Sequence, residues 1–448
     1  MSGAGDTVAA QASLHALARE AFIYALPLYE MQRMLSASSP RKRSDGAIAD
    51  PSPQAGPEST WRWVNLFSHT RQLLGPANRR VVTPNNDTLY TNAWLDLSDG
   101  PLLIHAPDTG TRYYVLGLLD FWTNPFAYSG TRTTSNRAQT LFVHGPGWRG
   151  SVPKGCIVIA SPTNLVWVLG RVMADVHEDM AQVHALQDQF RIEPATPPAH
   201  PSDDIGKRLN AQMAPNDMPR QARSFLRVVN SALLLNPPPL DQTEWLARFA
   251  AVGLGPGLVV PQDLSAWDGV IDAALAELDA PDTSRNKPGG WSLPIELDTS
   301  FGQDWHKRAR TARGYIGALG NQEAMYIMAE SDAQGQVLDG RHAYRLRFAP
   351  EQLPQVQAFW SLTMYRKADY LLVENPIGRY SIGDRTPGLA YDPDGGLTIT
   401  MSAQPFADGQ ANWLPAPAEA FYVSLRLYLP RPAHLQRSFV YPPIQRLD

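Results

Sequence analysis

The chain has 448 residues, which is more than one hydrophobic core usually supports, so we expect two or three domains. Its apolar fraction of 44% is ample for packed cores, and a formal net charge of -4 gives no electrostatic basis for binding nucleic acid. Cys156 is the single cysteine, which excludes intrachain disulfides and argues against a cysteine-based metal site.

The first residues carry neither the basic nor the apolar segment of a secretory signal. No run approaches the roughly 18 apolar residues that a membrane span needs. We therefore expect a soluble, cytoplasmic protein without a membrane partner. Export of a form with a leader stays an alternative, and assembly into a homo-oligomer is left open.

Apolar residues at helical spacing predict an amphipathic helix over residues 8–26, and Pro27 is expected to end or kink it. Residues 36–60 are rich in Ser, Pro, Arg and Gly without periodicity, which predicts a loop. From residue 81 onward, short apolar runs alternate with turn signals. These runs predict strands at 93–97, 102–105, 113–120, 139–144, 156–160 and 166–171. A helix over residues 175–190 follows them.

A proline-rich stretch over residues 195–201 predicts a linker, and the pattern behind it is mainly helical. Helices are predicted at 225–235, 241–250, 264–278 and 305–319. The last region returns to strands, at 326–329, 342–348, 359–365, 397–402 and 421–428. The sequence contains no internal repeat strong enough to use as evidence.

The order of these elements predicts a mainly β protein with a helical insert, in the α+β multidomain class. We expect two antiparallel domains of the β-sandwich or jelly-roll type. One would comprise residues 1–200, including the N-terminal helix, and the other residues 301–448. A helical segment over residues 201–300 would connect them.

Polar side chains are concentrated in segment 83–92, TPNNDTLYTN, between an apolar run and a strand-like run. Pro84 fixes its own φ, and the Asn and Asp residues after it can fold back on their own backbone as Asx-turns. One interpretation is therefore a tight turn that enters a strand. The other is the polar wall of a pocket, in which neighbouring amides hold Asp87. The sequence leaves both open.

The pocket interpretation assigns catalytic roles to Asp87, Asp120 and Arg171. Asp120 ends a predicted strand and is followed by an aromatic, amide-rich stretch. If the two carboxyl groups lie together and one is desolvated, their pKa values separate and they can serve as acid and base. Arg171 would then hold an anionic group. The alternative is that Arg171 pairs with one of these carboxylates as a buried structural ion pair.

A second group of side chains suits a bound ligand. Its members are amides, aromatic rings and a guanidinium group: Asn85, Asn86, Tyr90, Trp122, Arg132, Trp360 and Tyr365. Aromatic rings beside polar groups are what a sugar-like or aromatic ligand would contact. The same rings also suit a sandwich core in which indole and phenol groups find backbone partners.

The spacing of His177, His184 and Asp188 would place them on one side of a helix, which allows a metal site. A solvated helix face is favoured, because no compact metal-binding motif is present. The chain also lacks the glycine-rich signatures of nucleotide binding and the Gly-x-Ser-x-Gly nucleophile motif. We therefore expect neither a metal nor a cofactor.

Several motifs resemble a pair of bacterial protein families. They are PNNDTLY at 84–90, GTRTT at 130–134, FWSLTMY at 359–365 and NWLPAP at 412–417. The first two are similar to the domain of unknown function 1254, and the last two to the domain of unknown function 1214. The resemblance implies a tandem of β-sandwich-like domains with a helical segment between them, and it implies no settled reaction.

The partner that these observations favour is a small organic molecule, without nucleic acid and without a cofactor. The leading hypothesis is an enzyme that uses carboxylate acid–base chemistry. The alternative is a non-catalytic protein that binds a carbohydrate or another small ligand.

Overall fold

The structure is a computed structural model. It describes residues 3–38, 41–42, 48–49, 64–79, 82–174, 180–196, 219–405 and 411–447. Within these ranges the strands form four larger sheets, and a group of helices lies between the two β regions in the chain. The predicted class, mainly β with a helical insert, is therefore confirmed. The predicted loop over residues 36–60 and the predicted linker over residues 195–201 fall largely outside the described residues.

The helices are α1 (Gly3–Ser38), α2 (Met180–Gln187), α3 (Ala222–Leu235), α4 (Thr243–Phe249), α5 (Val270–Asp279), α6 (Trp305–Gly314) and α7 (Pro432–Leu435). Helix α1 continues past Pro27, so the helix does not end at this residue. Residues 21–32 of α1 are all buried, on every side of the helix. This burial offsets the hydrogen bond lost at an interior proline, which costs about 3 kcal/mol.

Two short strands, β1 (Arg41–Lys42) and β2 (Ile48–Ala49), form a separate antiparallel pair. The strands of the N-terminal half are β3 (Ser68–His69), β4 (Thr88–Asp96), β5 (Leu102–Ala106), β6 (Tyr114–Asp120), β7 (Ala127–Gly130), β8 (Gln139–His144), β9 (Ile157–Ala160), β10 (Leu165–Met173) and β11 (Arg191–Pro194). They form a five-stranded sheet in the order β3-β4-β10-β6-β7 and a four-stranded sheet in the order β11-β5-β8-β9. Neighbouring strands are antiparallel, except that β8 and β9 are parallel.

The strands of the C-terminal half are β12 (Trp291–Ser292), β13 (Ala324–Ala329), β14 (Tyr344–Phe348), β15 (Val356–Arg366), β16 (Ser381–Gly383), β17 (Leu397–Ser402), β18 (Trp413–Pro415), β19 (Phe421–Pro430) and β20 (Ile444–Arg446). They form a five-stranded sheet in the order β12-β13-β19-β15-β16 and a four-stranded sheet in the order β20-β14-β17-β18. Here β17 and β18 are the parallel pair.

The two halves have the same topology. Adding nine to each strand number of the N-terminal half reproduces both strand orders of the C-terminal half and the position of its parallel pair. The registers agree as well, because Arg171 lies opposite Tyr90 in the first half and Arg426 lies opposite Tyr326 in the second. The chain therefore contains an internal structural repeat, which the sequence analysis did not predict.

Each half is a sandwich with an apolar core between its two sheets. In the first half, Leu89 and Val168 of the five-stranded sheet share one buried cluster with Ile104 and Val143 of the four-stranded sheet. The second half has an equivalent cluster. Because side chains alternate along a strand, the opposite face of each five-stranded sheet points away from this core.

The outer faces of the two five-stranded sheets meet each other. Helices cover part of the outer face of the N-terminal five-stranded sheet, where they share a buried cluster with Trp94 and Trp167. The remainder contacts the C-terminal half, where the Tyr113 ring lies 5.7 Å from the rings of Phe359 and Tyr428. Most of the predicted polar residues lie at this junction between the halves.

Candidate functional site between the two halves

Arg171 occupies the middle of the junction from the N-terminal side. It lies on the central strand β10 and is 8% exposed. One terminal nitrogen donates a hydrogen bond to the Tyr326 hydroxyl at 2.6 Å, and the guanidinium carbon lies 5.6 Å from the centre of the Tyr90 ring. Its buried Nε has no acceptor among the described residues. Within the described ranges, no carboxylate is in ion-pair contact with Arg171, so the alternative of a structural ion pair with Asp87 or Asp120 is not observed.

Arg426 is the equivalent residue of the C-terminal half, on strand β19, and is 4% exposed. Its Nη2 donates to the Thr83 carbonyl at 2.8 Å and to the Tyr365 hydroxyl at 2.6 Å. Burial raises the pKa of Tyr365 to about 12, so this phenol stays protonated and donates to the Pro84 carbonyl at 2.7 Å. The Arg426 guanidinium carbon lies 5.0 Å from the centre of the Tyr326 ring. As in Arg171, the buried Nε has no acceptor in the described part of the chain.

Asp87 lies at the edge of the junction, and side chains of the other half hold its carboxylate. The residue is 3% exposed. Its Oδ2 accepts hydrogen bonds from Ser361 Oγ at 2.7 Å and from the Tyr428 hydroxyl at 3.3 Å. Its Oδ1 lies 3.4 Å from Arg385 Nη2. Burial raises the pKa of Tyr428 well above the ordinary value for a phenol, so Tyr428 acts as a neutral donor.

Glu323 is the counterpart of Asp87 in the C-terminal half, three residues before Tyr326 as Asp87 is three before Tyr90. It accepts a hydrogen bond from the Tyr113 hydroxyl at 2.8 Å and one from Arg132 Nε at 2.7 Å. Burial raises the pKa of Glu323.

The two ion pairs cross the junction in opposite directions. Arg132 lies two residues after Gly130, and Arg385 two residues after Gly383, and these glycines occupy equivalent register positions on β7 and β16. Each half therefore supplies the guanidinium group that pairs with the acid of the other half.

The two amides beside Asp87 hold the turn. Asn85 Oδ1 accepts a hydrogen bond from the Asp87 backbone N–H at 2.7 Å, which is an Asx-turn. It also lies 3.2 Å from the Tyr428 hydroxyl. Asn86 donates to the Leu74 carbonyl at 2.7 Å. The amides thus fix the backbone, and the C-terminal half supplies the donors to the carboxylate.

Asp120 lies far from this cluster. It is opposite Val166 on β10, whereas the Asp87 carbonyl accepts a hydrogen bond from Ala174, eight residues further along. At a rise of ~3.3 Å per residue this separation is roughly 26 Å. Asp120 instead accepts hydrogen bonds from the Trp122 backbone and from the backbone and side chain of Asn124, all at 2.8–2.9 Å. Burial raises the pKa of Asp120 to about 6.

Both predicted tryptophans belong to packed regions outside the junction. Trp122 is buried against the helices, where its Nε1 donates to the Pro237 carbonyl at 3.1 Å and the Arg308 guanidinium carbon lies 4.8 Å from its ring. Trp360 lies in the core of the C-terminal sandwich, 5.9 Å from the Phe348 ring. Of the predicted ligand-binding residues, Asn85, Tyr90, Arg132 and Tyr365 lie at the junction, and Asn86 contacts Leu74 of its own half.

The histidine helix is only partly described, because His177 lies outside the described residues. His184 is in hydrogen-bond contact with the Arg71 carbonyl at 2.7 Å, and Asp188 forms an ion pair with the Arg71 side chain. Among the residues that the structure describes, no group of three or more His, Cys, Asp or Glu side chains could hold a metal ion. No described helix has the length and apolar character needed to cross a bilayer.

Both halves of the junction lie in regions that match known protein families. Residues 64–194 match the family described as "Protein of unknown function (DUF1254)", and residues 323–432 match "Protein of unknown function (DUF1214)". The chain therefore contains a DUF1254 region followed by a DUF1214 region. The crossed ion pairs therefore join the DUF1254 region to the DUF1214 region.

Two solved structures are similar to this tandem protein. The VPA0106 protein from Vibrio parahaemolyticus is 25% identical, with a TM-score of 0.71 over 97% of this chain and 100% of that chain. An uncharacterised protein from Burkholderia cenocepacia is 12% identical, with a TM-score of 0.46 over 99% of this chain and 97% of that chain. No curated protein matches the chain.

Apart from Tyr365, sequence reasoning missed the DUF1214 side of the junction. The residues concerned are Glu323, Tyr326, Ser361, Arg385, Arg426 and Tyr428. One signal was present: segment 321–326, NQEAMY, repeats the pattern of segment 85–90, NNDTLY, with an amide, an acid and a tyrosine at the same positions. An alignment of the two DUF regions on this pattern would have located the second acid.

Proposed function

We propose that this protein binds a small organic molecule with an anionic group at the junction between its two β halves. The observation that supports this most strongly is the pair of buried guanidinium groups, Arg171 and Arg426, neither of which contacts a carboxylate of the described residues. Asp87 attracts Arg426 and Glu323 attracts Arg171 electrostatically without contacting them, so an anion that reached both guanidinium groups would add charge-assisted hydrogen bonds that neither group now has.

The balance of charge at the junction points the same way. Among the described residues, four guanidinium groups and two buried carboxylates lie there, those of Arg132, Arg171, Arg385, Arg426, Asp87 and Glu323. Asp384, beside Arg385, adds a third carboxylate at the exposed edge. Positive charge therefore exceeds negative charge even when all three acids are ionised.

The two tyrosines beside the arginines complete the proposed ligand site. Tyr90 and Tyr326 each keep part of their surface accessible to solvent, although they lie on strands of the facing sheets. An aromatic surface next to a guanidinium group suits an organic anion better than a fully hydrated inorganic one, because the rings bind the apolar part.

Calorimetric titration of the full chain with benzoate and with inorganic phosphate tests this proposal. We expect saturable binding of benzoate that weakens about tenfold or more in Arg171→Met, because a charge-assisted hydrogen bond contributes ~1.5–3 kcal/mol. Arg341→Met is the matched control, since the Arg341 side chain is 74% exposed and pairs with Asp339, which is not a junction residue. Equal affinity of wild type and Arg171→Met for benzoate, or binding of no organic anion by the wild type, would refute the proposal.

A second candidate function is acid–base catalysis on the bound molecule, with Asp87 as the base. It is favoured by the 2.7 Å contact between the Asp87 carboxylate and the Ser361 hydroxyl. The separation of Asp120 removes it from this mechanism, and Arg171 remains the proposed anchor for the anionic group. Incubation of wild type and Asp87→Asn with a panel of organic acids, followed by NMR, is the test. Equal turnover by the two proteins would exclude Asp87 as the base.

A further inference from the structure

The repeat relates the two buried arginines to each other. Each lies on the central strand of its five-stranded sheet, opposite the tyrosine of the neighbouring strand. The distances from guanidinium carbon to that tyrosine ring are 5.6 Å for Arg171 and 5.0 Å for Arg426. Both residues also have the same buried atom, Nε, without an acceptor among the described residues.

Both guanidinium groups lie beside one ring. The Arg171 and Arg426 guanidinium carbons are 6.0 Å and 5.0 Å from the centre of the Tyr326 ring. The hydroxyl of Ser424 is buried on the same face of β19 as Arg426, two residues away, and also has no partner in the described ranges. Three buried polar atoms without a partner among the described residues, Arg171 Nε, Arg426 Nε and Ser424 Oγ, thus lie around the junction.

From this arrangement we infer that the ligand carries two anionic groups, one for each arginine, and that its class is the dicarboxylic acids. This inference rests on the proposed function. A ligand with one carboxylate neutralises the charge of one buried guanidinium group, and the equivalent group of the other half gains no contact with an anion. A ligand with a carboxylate at each end compensates both, and the repeat places the two donors on opposite halves of the protein.

Matched pairs of probes test the inference on the intact wild-type chain. The probes are the linear dicarboxylates from succinate to suberate and, for each, the half-amide of the same length, titrated by calorimetry at pH 7.5. We expect one chain length to bind best, and we expect its half-amide to bind about tenfold or more weakly, because one charge-assisted contact is lost.

The arginine variants then assign the two ends of the ligand. In Arg171→Met and in Arg426→Met, the preference for the dicarboxylate over its half-amide should disappear, while Arg341→Met should keep it. Arg426 also holds the Thr83 carbonyl, so the fold of each variant is checked by circular dichroism. The comparison of probes on the wild type stands even if Arg426→Met does not fold.

The outcomes separate this inference from the function on which it rests. A half-amide that binds the wild type as tightly as its dicarboxylate overturns the dicarboxylate inference and leaves an anion site in place. Binding of neither probe, together with no binding of benzoate, overturns both. Loss of the preference in only one arginine variant also overturns the inference, because a single residue would then hold the charged group.

Discussion

Replacement of Asp87 by asparagine should weaken the attachment of the two halves. The substitution keeps the shape of the side chain and removes its charge. Ser361 and Tyr428 then lose a charged acceptor, and Arg385 loses its carboxylate partner. Arg385 keeps its hydrogen bond to the Ala174 carbonyl at 3.0 Å, so it stays anchored next to a neutral amide.

The size of the effect follows from burial. Asp87 is 3% exposed, and hydrogen bonds to a buried charged group contribute ~1.5–3 kcal/mol each. The Arg385 side chain is 21% exposed, so solvent screens part of its lost pairing. We therefore expect a loss of about 3 kcal/mol in the free energy of unfolding. With an unfolding entropy of ~2.1 cal/mol/K per residue, a cooperative chain of this length would lose about 3 °C in Tm.

Differential scanning calorimetry of wild type and Asp87→Asn measures this shift. Asp188→Asn is the control, because Asp188 is 62% exposed in its pair with Arg71, and exposed pairs contribute only ~0–1 kcal/mol. If the Tm of Asp87→Asn falls no further than that of Asp188→Asn, the carboxylate does not hold the halves together and our reasoning about the junction is wrong.

Two further predictions concern the C-terminal half. Burial lowers the pKa of His434 to about 4, and its Nε2 accepts a hydrogen bond from the Gln355 backbone N–H at 3.0 Å. Because the unfolded chain binds a proton at this histidine more readily than the folded chain does, lowering the pH favours unfolding. The free energy of unfolding should therefore fall by about 3 kcal/mol between pH 6.5 and pH 4. Thermal melts across this range should show a smaller loss in His434→Gln, and parallel curves would contradict the assignment. Gly383→Ala should cost ~1–3 kcal/mol or more, because its Cβ would collide with the Trp360 carbonyl oxygen, whereas Gly75→Ala, with no atom within 4 Å, should melt like the wild type.

The strands could be predicted well because their signal is local. Runs such as 139–144 combine β-branched or aromatic residues with flanking turn signals, and the structure places a strand on the same residues. Helix α1 shows the limit of this approach. A proline lowers helical propensity wherever it occurs, but burial around Pro27 depends on helices more than two hundred residues away in the chain.

The candidate site could be predicted mainly from its N-terminal side, with Tyr365 as the exception. Asp87 and Arg171 were found because amides and a strand surround them in the sequence. Asp120 seemed a suitable partner because it also ends a strand, but the antiparallel register of β6 and β10 puts it at the opposite end of the sheet. Ser361 lies in an apolar strand with no unusual composition, so its contact with Asp87 depends on the packing of two distant sheets.

Each half supplies the arginine that pairs with the acid of the other half, and this limits how the protein can be divided. Cutting the chain between the halves would leave Asp87 and Glu323 on bare faces, each without the donors that now surround it. Neither fragment would be an autonomous module, and a swap of one half for that of a relative would succeed only if the incoming acid and arginine matched those already in place.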